Sequence, residues 1–213
     1  MGFRPGSGQY RARSTAELTA ARTRCDWRQI TLDRKRRRLL QTGGVYLDFS
    51  GIAKGYAVDL VARYLLDLGC PGYLVEIGGE LRGLGTKPDG QPWWVALERP
   101  PSEQNARPIV TALHGLAVAT SGDYRRYFDH AGRRYAHTID TRTGEPVCHG
   151  LVSVTVLHAH CMVADALATV LMVLGEKTGM VFARERNLAA LFICFRDGVF
   201  CESMSPAFAG MLD

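Results

Sequence analysis

No Cys-x-x-Cys pair occurs among the six cysteines, Cys25, Cys70, Cys148, Cys161, Cys194 and Cys201. The usual zinc-ribbon spacing is therefore excluded. Several of these residues sit inside apolar stretches, Cys194 among them, which argues for free buried thiols over a disulfide framework. No Gly-x-x-x-x-Gly-Lys-Ser/Thr loop is present, so P-loop phosphate binding is excluded. No Gly-x-Gly-x-x-Gly opens a helix, and no Gly-x-Ser-x-Gly elbow presents a nucleophilic serine. A signal-peptide pattern and a transmembrane run are also lacking. The longest apolar segment, near Cys161–Leu174, is short for a bilayer and carries Asp165. As written, the chain is expected to be cytoplasmic.

What is present is an ordinary globular balance. The chain has 213 residues, 46% hydrophobic and 22% charged, enough for one domain with a sizeable core. Met1–Arg13 is rich in glycine and basic residues without apolar periodicity and reads as a loose arm. The net charge is +5, and Arg34-Lys35-Arg36-Arg37-Arg38 supplies five positive charges by itself. Contact with nucleic acid or acidic lipid is one reading of that run. No aromatic or basic stripe follows it, so a solvated turn after a strand is expected, with no nucleic acid partner.

Periodicity predicts a short helix over Ser14–Arg24, capped by Ser14 or Thr15, and strands at Trp27–Asp33 and Tyr46–Phe49. The pattern then switches. Ala57, Val58, Leu60, Val61, Tyr64, Leu65 and Leu68 share one helical face, and Gly69 is a credible stop. Strands are expected at Tyr73–Ile77, Leu81–Gly85 and Trp93–Glu98, with Pro88-Asp89-Gly90 marking a hairpin between the last two. Further strands are expected at Ile109–Leu113, Ala117–Thr120, Arg134–Ile139 and Leu151–Leu157. Helices follow at Val163–Leu174 and Lys177–Glu185, and strands at Ala189–Phe195 and Gly198–Glu202. Mixed hairpins and helices predict an α+β fold, with no internal repeat and no interdomain linker.

Three segments carry chemistry. In Asp48-Phe49-Ser50-Gly51-Ile52-Ala53-Lys54-Gly55, small residues let a ligand approach the backbone, and the following helix offers free N–H groups to an anion. Lys54 suits a phosphate, and Asp48 suits a base or ribose; an ordinary turn with a surface lysine remains the alternative. Asp165, in Ala164-Asp165-Ala166-Leu167-Ala168-Thr169, is the one charged side chain between Cys161 and Gly175. A carboxylate there needs a cation or donors. Thr169 lies one turn later, and the two oxygens suit Mg²⁺, which takes oxygen ligands and shares them with phosphates. The alternative is a cap or a polar network. Finally, Thr120-Ser121-Gly122-Asp123-Tyr124 reads as a strand running into a helix N-terminus, and His137 stands near Asp140 and Arg142. His137 is a candidate general base or a structural histidine. His158-Ala159-His160-Cys161 lacks a carboxylate or thiol pair at ligand spacing and reads as a strand end.

Taken in order, LDFSGIAKGYAVD, LVEIGGELRGLG, QPWWVAL, AVATSGDYRRYF, YAHTIDTRTGEPV, LVSVTV and VADALATVLMVLG resemble the FAD:protein FMN transferase family of ApbE type, from about Tyr46 to Met204. The resemblance implies an ApbE-like α+β fold with largely antiparallel sheets packed against helices. It also implies a flavin-transferase domain over 46–213, with 1–45 an arm and partial segment. The implied activity is Mg²⁺-dependent: FAD is the substrate, its pyrophosphate is split, FMN joins a Thr or Ser of a target flavoprotein through a phosphoester, and AMP leaves. An FAD pyrophosphatase or a non-catalytic flavin-binding remnant is the alternative. By the same resemblance Asp48, Lys54 and the backbone at Ile139 contact the flavin nucleotide. Gly51, through its carbonyl, and the side chains of Asp165 and Thr169 hold the metal, and His137 activates the acceptor hydroxyl. Targets would be subunits of membrane redox complexes. Family members commonly carry a further N-terminal portion with an export or lipid-anchor signal, which implies a periplasmic or inner-membrane setting.

Overall fold

A computed structural model describes residues 14–100, 108–124, 127–130 and 133–212, with the backbone alone at 127–130 and 133–134. The basic arm Met1–Arg13 lies outside the described residues. Helix α1 (Thr15–Arg22) opens on a capping box: Glu17 N–H donates to Ser14 Oγ at 3.3 Å, and Ser14 N–H donates to Glu17 Oε2 at 2.8 Å. A 3-10 turn, Trp27–Gln29, takes the first half of the expected strand, so β1 (Ile30–Asp33) is shorter than predicted and pairs with β2 (Arg38–Gln41). Arg34–Arg37 form the exposed turn of that hairpin, in line with the solvated reading of the basic run. The expected strand Tyr46–Phe49 does not form; the segment is an exposed irregular stretch in which Tyr46 N–H donates to Arg24 O at 2.9 Å.

Helix α2 (Ala53–Asp67) begins inside the Gly-rich segment, ahead of Gly55, and Gly69, with φ 78°, follows its end as expected. Its buried face overlaps the predicted one only in part: Val58 is buried and Leu65 packs on the core as expected, but most of the predicted face is exposed. Gly55, Val58, Asp59 and Ala62 are buried, whereas Leu60, Val61, Tyr64 and Leu68 are exposed, Tyr64 by 67%. The small residues at positions 55, 58, 59 and 62 form an i, i+3, i+4, i+7 stripe. That stripe allows closer packing than the bulkier face does. Apolar count alone pointed mostly to the wrong side.

The strands that follow are β3 (Tyr73–Ile77), β4 (Glu80–Leu84), β5 (Trp94–Ala96), β6 (Val110–Ala112), β7 (Leu116–Gly122), β8 (Tyr127–His130), β9 (Arg133–Ala136), β10 (Ile139–Asp140), β11 (Glu145–Pro146) and β12 (Leu151–His158). Helix α3 (Cys161–Glu185), β13 (Ala189–Arg196), β14 (Val199–Met204) and α4 (Pro206–Ala209) complete the described chain. Six strands form one antiparallel sheet in the order β14-β13-β12-β7-β4-β3. The other strands form separate two-stranded ribbons. Pro88-Asp89-Gly90 does make a turn, with Lys87 N–H donating to Gln91 O at 2.9 Å. It closes only a single bridge, Thr86 to Pro92, after which β5 pairs with β6 and not with β4. No helix begins at Gly122 as predicted: Asp123 and Tyr124 bend, and β8 starts at Tyr127.

Both faces of the sheet are covered: β13 is apolar on both sides, and β12 is buried on both, with Ser153 and Thr155 among its buried residues. Ala119, Val154, Val156, Ala190 and Phe192 face α3 through Ala164, Ala168, Leu171 and Met172. Val118, Leu157, Leu191 and Ile193 pack on the opposite side with Leu97, Leu113 and Phe208. The two predicted helices at 163–174 and 177–185 are one element broken at Gly175, whose φ of 75° ends the first part. With its full 25 residues, α3 is long and apolar enough to cross a membrane by length and composition, which the sequence reading did not anticipate. Here its buried face serves as the helical layer of the core. The expected α+β class is the observed one, and all six cysteines are free, although only Cys161 and Cys194 are buried.

Helices α2 and α3 approach closely at Gly55, where an added Cβ would lie 2.4 Å from Cys161 O and 2.7 Å from Met162 Cα. Backbone on both sides cannot yield as a side chain would. Gly55→Ala is expected to cost ~3 kcal/mol, as overpacking of a core contact does, measured by urea denaturation. A loss under about 0.5 kcal/mol, the ordinary scatter of innocuous substitutions, would show that the helices do not meet so closely.

Candidate active site

The turn Asp48–Ile52 leads into α2. Asp48 Oδ1 accepts the Ser50 N–H at 2.8 Å, and this hydrogen bond, aided by the Ser50 side chain, holds the exposed Asp48 carboxyl below its ordinary value. Ile52, at the N-cap, makes no side-chain capping bond, so donors in the first turn of α2 need partners from elsewhere. Asp165 supplies one: Gly55 N–H donates to its Oδ2 at 3.0 Å. The Asp165 side chain reaches that position because α3 crosses α2 where Gly55 lacks a side chain.

The converse contact is made by Asp59. Its Oδ1 accepts the Cys161 N–H at 3.0 Å, and its Oδ2 accepts the Met162 N–H at 2.9 Å. Arg82 of β4 pairs with the same carboxylate. Burial pushes the Asp59 carboxyl up, but the two N–H groups and Arg82 outweigh it, and the net value is lowered. Each helix therefore satisfies donors at the start of the other with a carboxylate, the arrangement that the helix dipole favours.

Asp165 is 4% exposed. Thr169, one turn further along α3, donates its hydroxyl to Asp165 O at 3.3 Å, and its Oγ1 lies 3.2 Å from Ser121 Oγ at the end of β7. A Cβ on Gly51 would sit 3.4 Å from Thr169 Oγ1. Thr169, paired with Asp165 by helical spacing, thus lies beside Gly51 of the turn before α2, a residue that only the family resemblance had singled out. Among the described residues no group of three or more His, Cys, Asp or Glu side chains is placed to hold a metal ion. A cation here has to draw on hydroxyl and carbonyl oxygen as well as carboxylate. Gly51, Asp165 and Thr169 offer that all-oxygen set, which fits a hard divalent ion and not zinc.

Lys54, on the first turn of α2, pairs with Glu80, a residue that sequence reasoning missed. Glu80 opens β4 after Gly78-Gly79, both at positive φ (64° and 99°), a two-residue hairpin turn that a side-chain-bearing residue seldom adopts. The readable signal was the Gly-Gly turn followed by an acid where β4 begins. Burial raises the Glu80 carboxyl, Lys54 opposes the rise and Asp165 adds to it. Cys161, beside these acids, is pushed up to about 12, first by burial and then by Asp59, Glu80 and Asp165. Its thiol is inert at neutral pH. His137 is half-buried in the connection between β9 and β10, and Ile139 pairs with Pro146 in the β10–β11 ribbon, outside the main sheet. Asp140 beside them binds the Arg142 side chain through both carboxylate oxygens, which lowers its carboxyl.

The start of α2 with Lys54 is thus brought together with the buried Asp165 carboxylate and the Thr169 hydroxyl from a distant helix. A sequence profile of the ApbE family matches residues 1–192, and the chain belongs to that family. It is 47% identical over 168 residues to the FAD:protein FMN transferase of Vibrio cholerae, covering 79% of this chain and 50% of that protein. To the FAD:protein FMN transferase of Escherichia coli K12 it is 35% identical over 214 residues, covering 99% of this chain and 61% of that one. The crystal structure of Pseudomonas stutzeri flavinyl transferase ApbE, in its apo form, superposes with a TM-score of 0.88 at 41% identity, covering 99% of this chain and 64% of that chain. The chain therefore spans 50% to 64% of the length of these three proteins.

Because the folded Asp59 carboxyl lies below its unfolded value, its stabilisation is present above the unfolded value and is lost as pH falls through the folded one. Asp59→Asn is expected to cost about 2 kcal/mol near neutral pH. Chemical denaturation measured from about pH 6 down to about pH 2 should show wild type losing stability faster than the variant. Parallel curves would contradict the charged cap.

Proposed function

We propose that this chain is the catalytic part of an FAD:protein FMN transferase that splits the pyrophosphate of FAD in a Mg²⁺-dependent reaction and attaches FMN to a Ser or Thr of a target flavoprotein. The observation that carries this reading is the convergence of Gly51, Asp165 and Thr169 beside Lys54 at the start of α2. That the Vibrio cholerae and Escherichia coli relatives are FAD:protein FMN transferases supports the transfer half.

In this reading Lys54 holds the diphosphate with the donors not given to Glu80, and the positive end of α2 faces the same anion. The Gly51 carbonyl, Asp165 and Thr169 hold Mg²⁺, which when bound neutralises charge on the phosphoryl oxygens and the leaving group. The acceptor hydroxyl attacks the phosphorus attached to the flavin. A new O–P bond forms, the P–O bond to the AMP half breaks with its electron pair, and His137 takes the hydroxyl proton. Asp48 and the Ile139 backbone orient the flavin nucleotide. Targets are flavoproteins with an accessible Ser or Thr, including subunits of membrane redox complexes.

Incubation of the chain with FAD, Mg²⁺ and a candidate target protein tests this directly. Flavin fluorescence that stays with the denatured target is the expected result. Free FMN and AMP without labelled target would mean hydrolysis, and unchanged FAD would mean a flavin-binding remnant. Asp165→Ala should abolish turnover while the fold persists, and His137→Ala should slow transfer by about 10²- to 10⁴-fold, the usual contribution of a general base. Full activity of Asp165→Ala would remove the metal assignment.

A further inference from the structure

Glu80 has no task in the chemistry above, yet it is the most deeply buried acidic side chain near Lys54, 2% exposed. A carboxylate in such a place is costly unless both oxygens find donors or a cation. Oε1 meets Lys54 Nζ. Oε2 has no hydrogen-bond partner among the described residues. The Gly78-Gly79 turn leaves space on that side: a Cβ at Gly78 would stand 3.8 Å from Oε2 and 3.2 Å from Lys54 Cδ.

Charge adds to the geometry. Asp59 is answered by Arg82 and by two N–H groups of α3. Glu80 and Asp165 face each other's field with Lys54 as the cation paired to one of them. Lys54 itself is 45% exposed, so part of its charge is spent on solvent. Two buried carboxylates beside one half-exposed ammonium leave the pocket short of positive charge, and one carboxylate oxygen lacks a donor.

We propose that Glu80 is a positioning residue for the divalent cation, its uncommitted Oε2 accepting a hydrogen bond from water in the cation's shell while Oε1 steers Lys54 toward the same ligand. Magnesium keeps several waters when protein supplies few ligands, and those waters need acceptors. Carboxylates outside the direct ligand set orient such shells, and losing one lowers metal affinity by about 10- to 100-fold. Glu80 thereby couples the cation to Lys54, so that the two positive groups are set at a fixed separation for the two phosphates of a diphosphate.

The inference rests on the magnesium part of the proposed function and not on transfer, and its test needs no flavin. Mn²⁺ binding to the chain is titrated by electron paramagnetic resonance, with thermal melts as the check on folding. Glu80→Gln is expected to weaken Mn²⁺ binding by about 10- to 100-fold. Glu80→Asp keeps the charge but withdraws it by one methylene and should recover part of that loss. Glu80→Gln, folded and binding Mn²⁺ within about twofold of wild type, well short of the expected loss, would overturn the proposal. So would a wild-type chain that binds no Mn²⁺. A wild-type chain that binds Mn²⁺ with the expected Glu80 dependence, yet labels no target, would sink FMN transfer and leave this role standing.

Discussion

The contact on which the site depends is the crossing of α2 and α3 at Gly55. Backbone of one helix lies where a side chain of the other would be, and the two helix starts exchange carboxylates. Asp59 of α2 receives the first donors of α3, and Asp165 of α3 receives Gly55 N–H. Each bond is charge-assisted and buried, the setting in which hydrogen bonds are strongest and most costly to lose. The mutual arrangement sets the rotation of α3 about its axis. That rotation in turn carries Thr169 to Gly51 and Ser121.

The same arrangement explains why acids gather where an anion is expected. Helix starts attract negative charge whether it belongs to a side chain or to a phosphate. The chain spends Asp59 and Asp165 on its own donors and keeps Lys54 half-exposed at the edge. Burial, reinforced by three carboxylates around it, holds the Cys161 thiol protonated, so the one buried cysteine nearby takes no part in nucleophilic chemistry. The six-stranded sheet supplies the rigidity behind this: α3 packs on β7 and β12 through Ala164, Ala168, Leu171 and Met172, small and large residues that leave little freedom of tilt.

Much of this was legible locally. The 2-residue period found nearly every strand of the main sheet, and Asp165 with Thr169 stood out as polar residues in an apolar helix. The failures share a cause. Tyr46–Phe49 looked like a strand because it is short and mainly apolar, but a strand exists only where a neighbour accepts its hydrogen bonds. The exposed face of α2 looked like the buried one because it holds more apolar carbon, whereas close helix packing selected the small-residue stripe. Glu80 went unnoticed because a single acid after two glycines has no periodic signature; only its partners give it meaning.

By itself the sequence determined the α+β class, the order of most elements, the Gly-rich turn before α2, and the oxygen-bearing residues at 165 and 169, all of which follow from near-neighbour spacing. Tertiary structure decided which face of α2 is buried, that Asp59 and Asp165 cap each other's helices, and that the buried Glu80 pairs with Lys54. Those outcomes turn on distances between residues as much as 110 positions apart, as Gly55 and Asp165 are. Steric fit and the satisfaction of buried charge settle them, and neither can be evaluated until the backbone has closed.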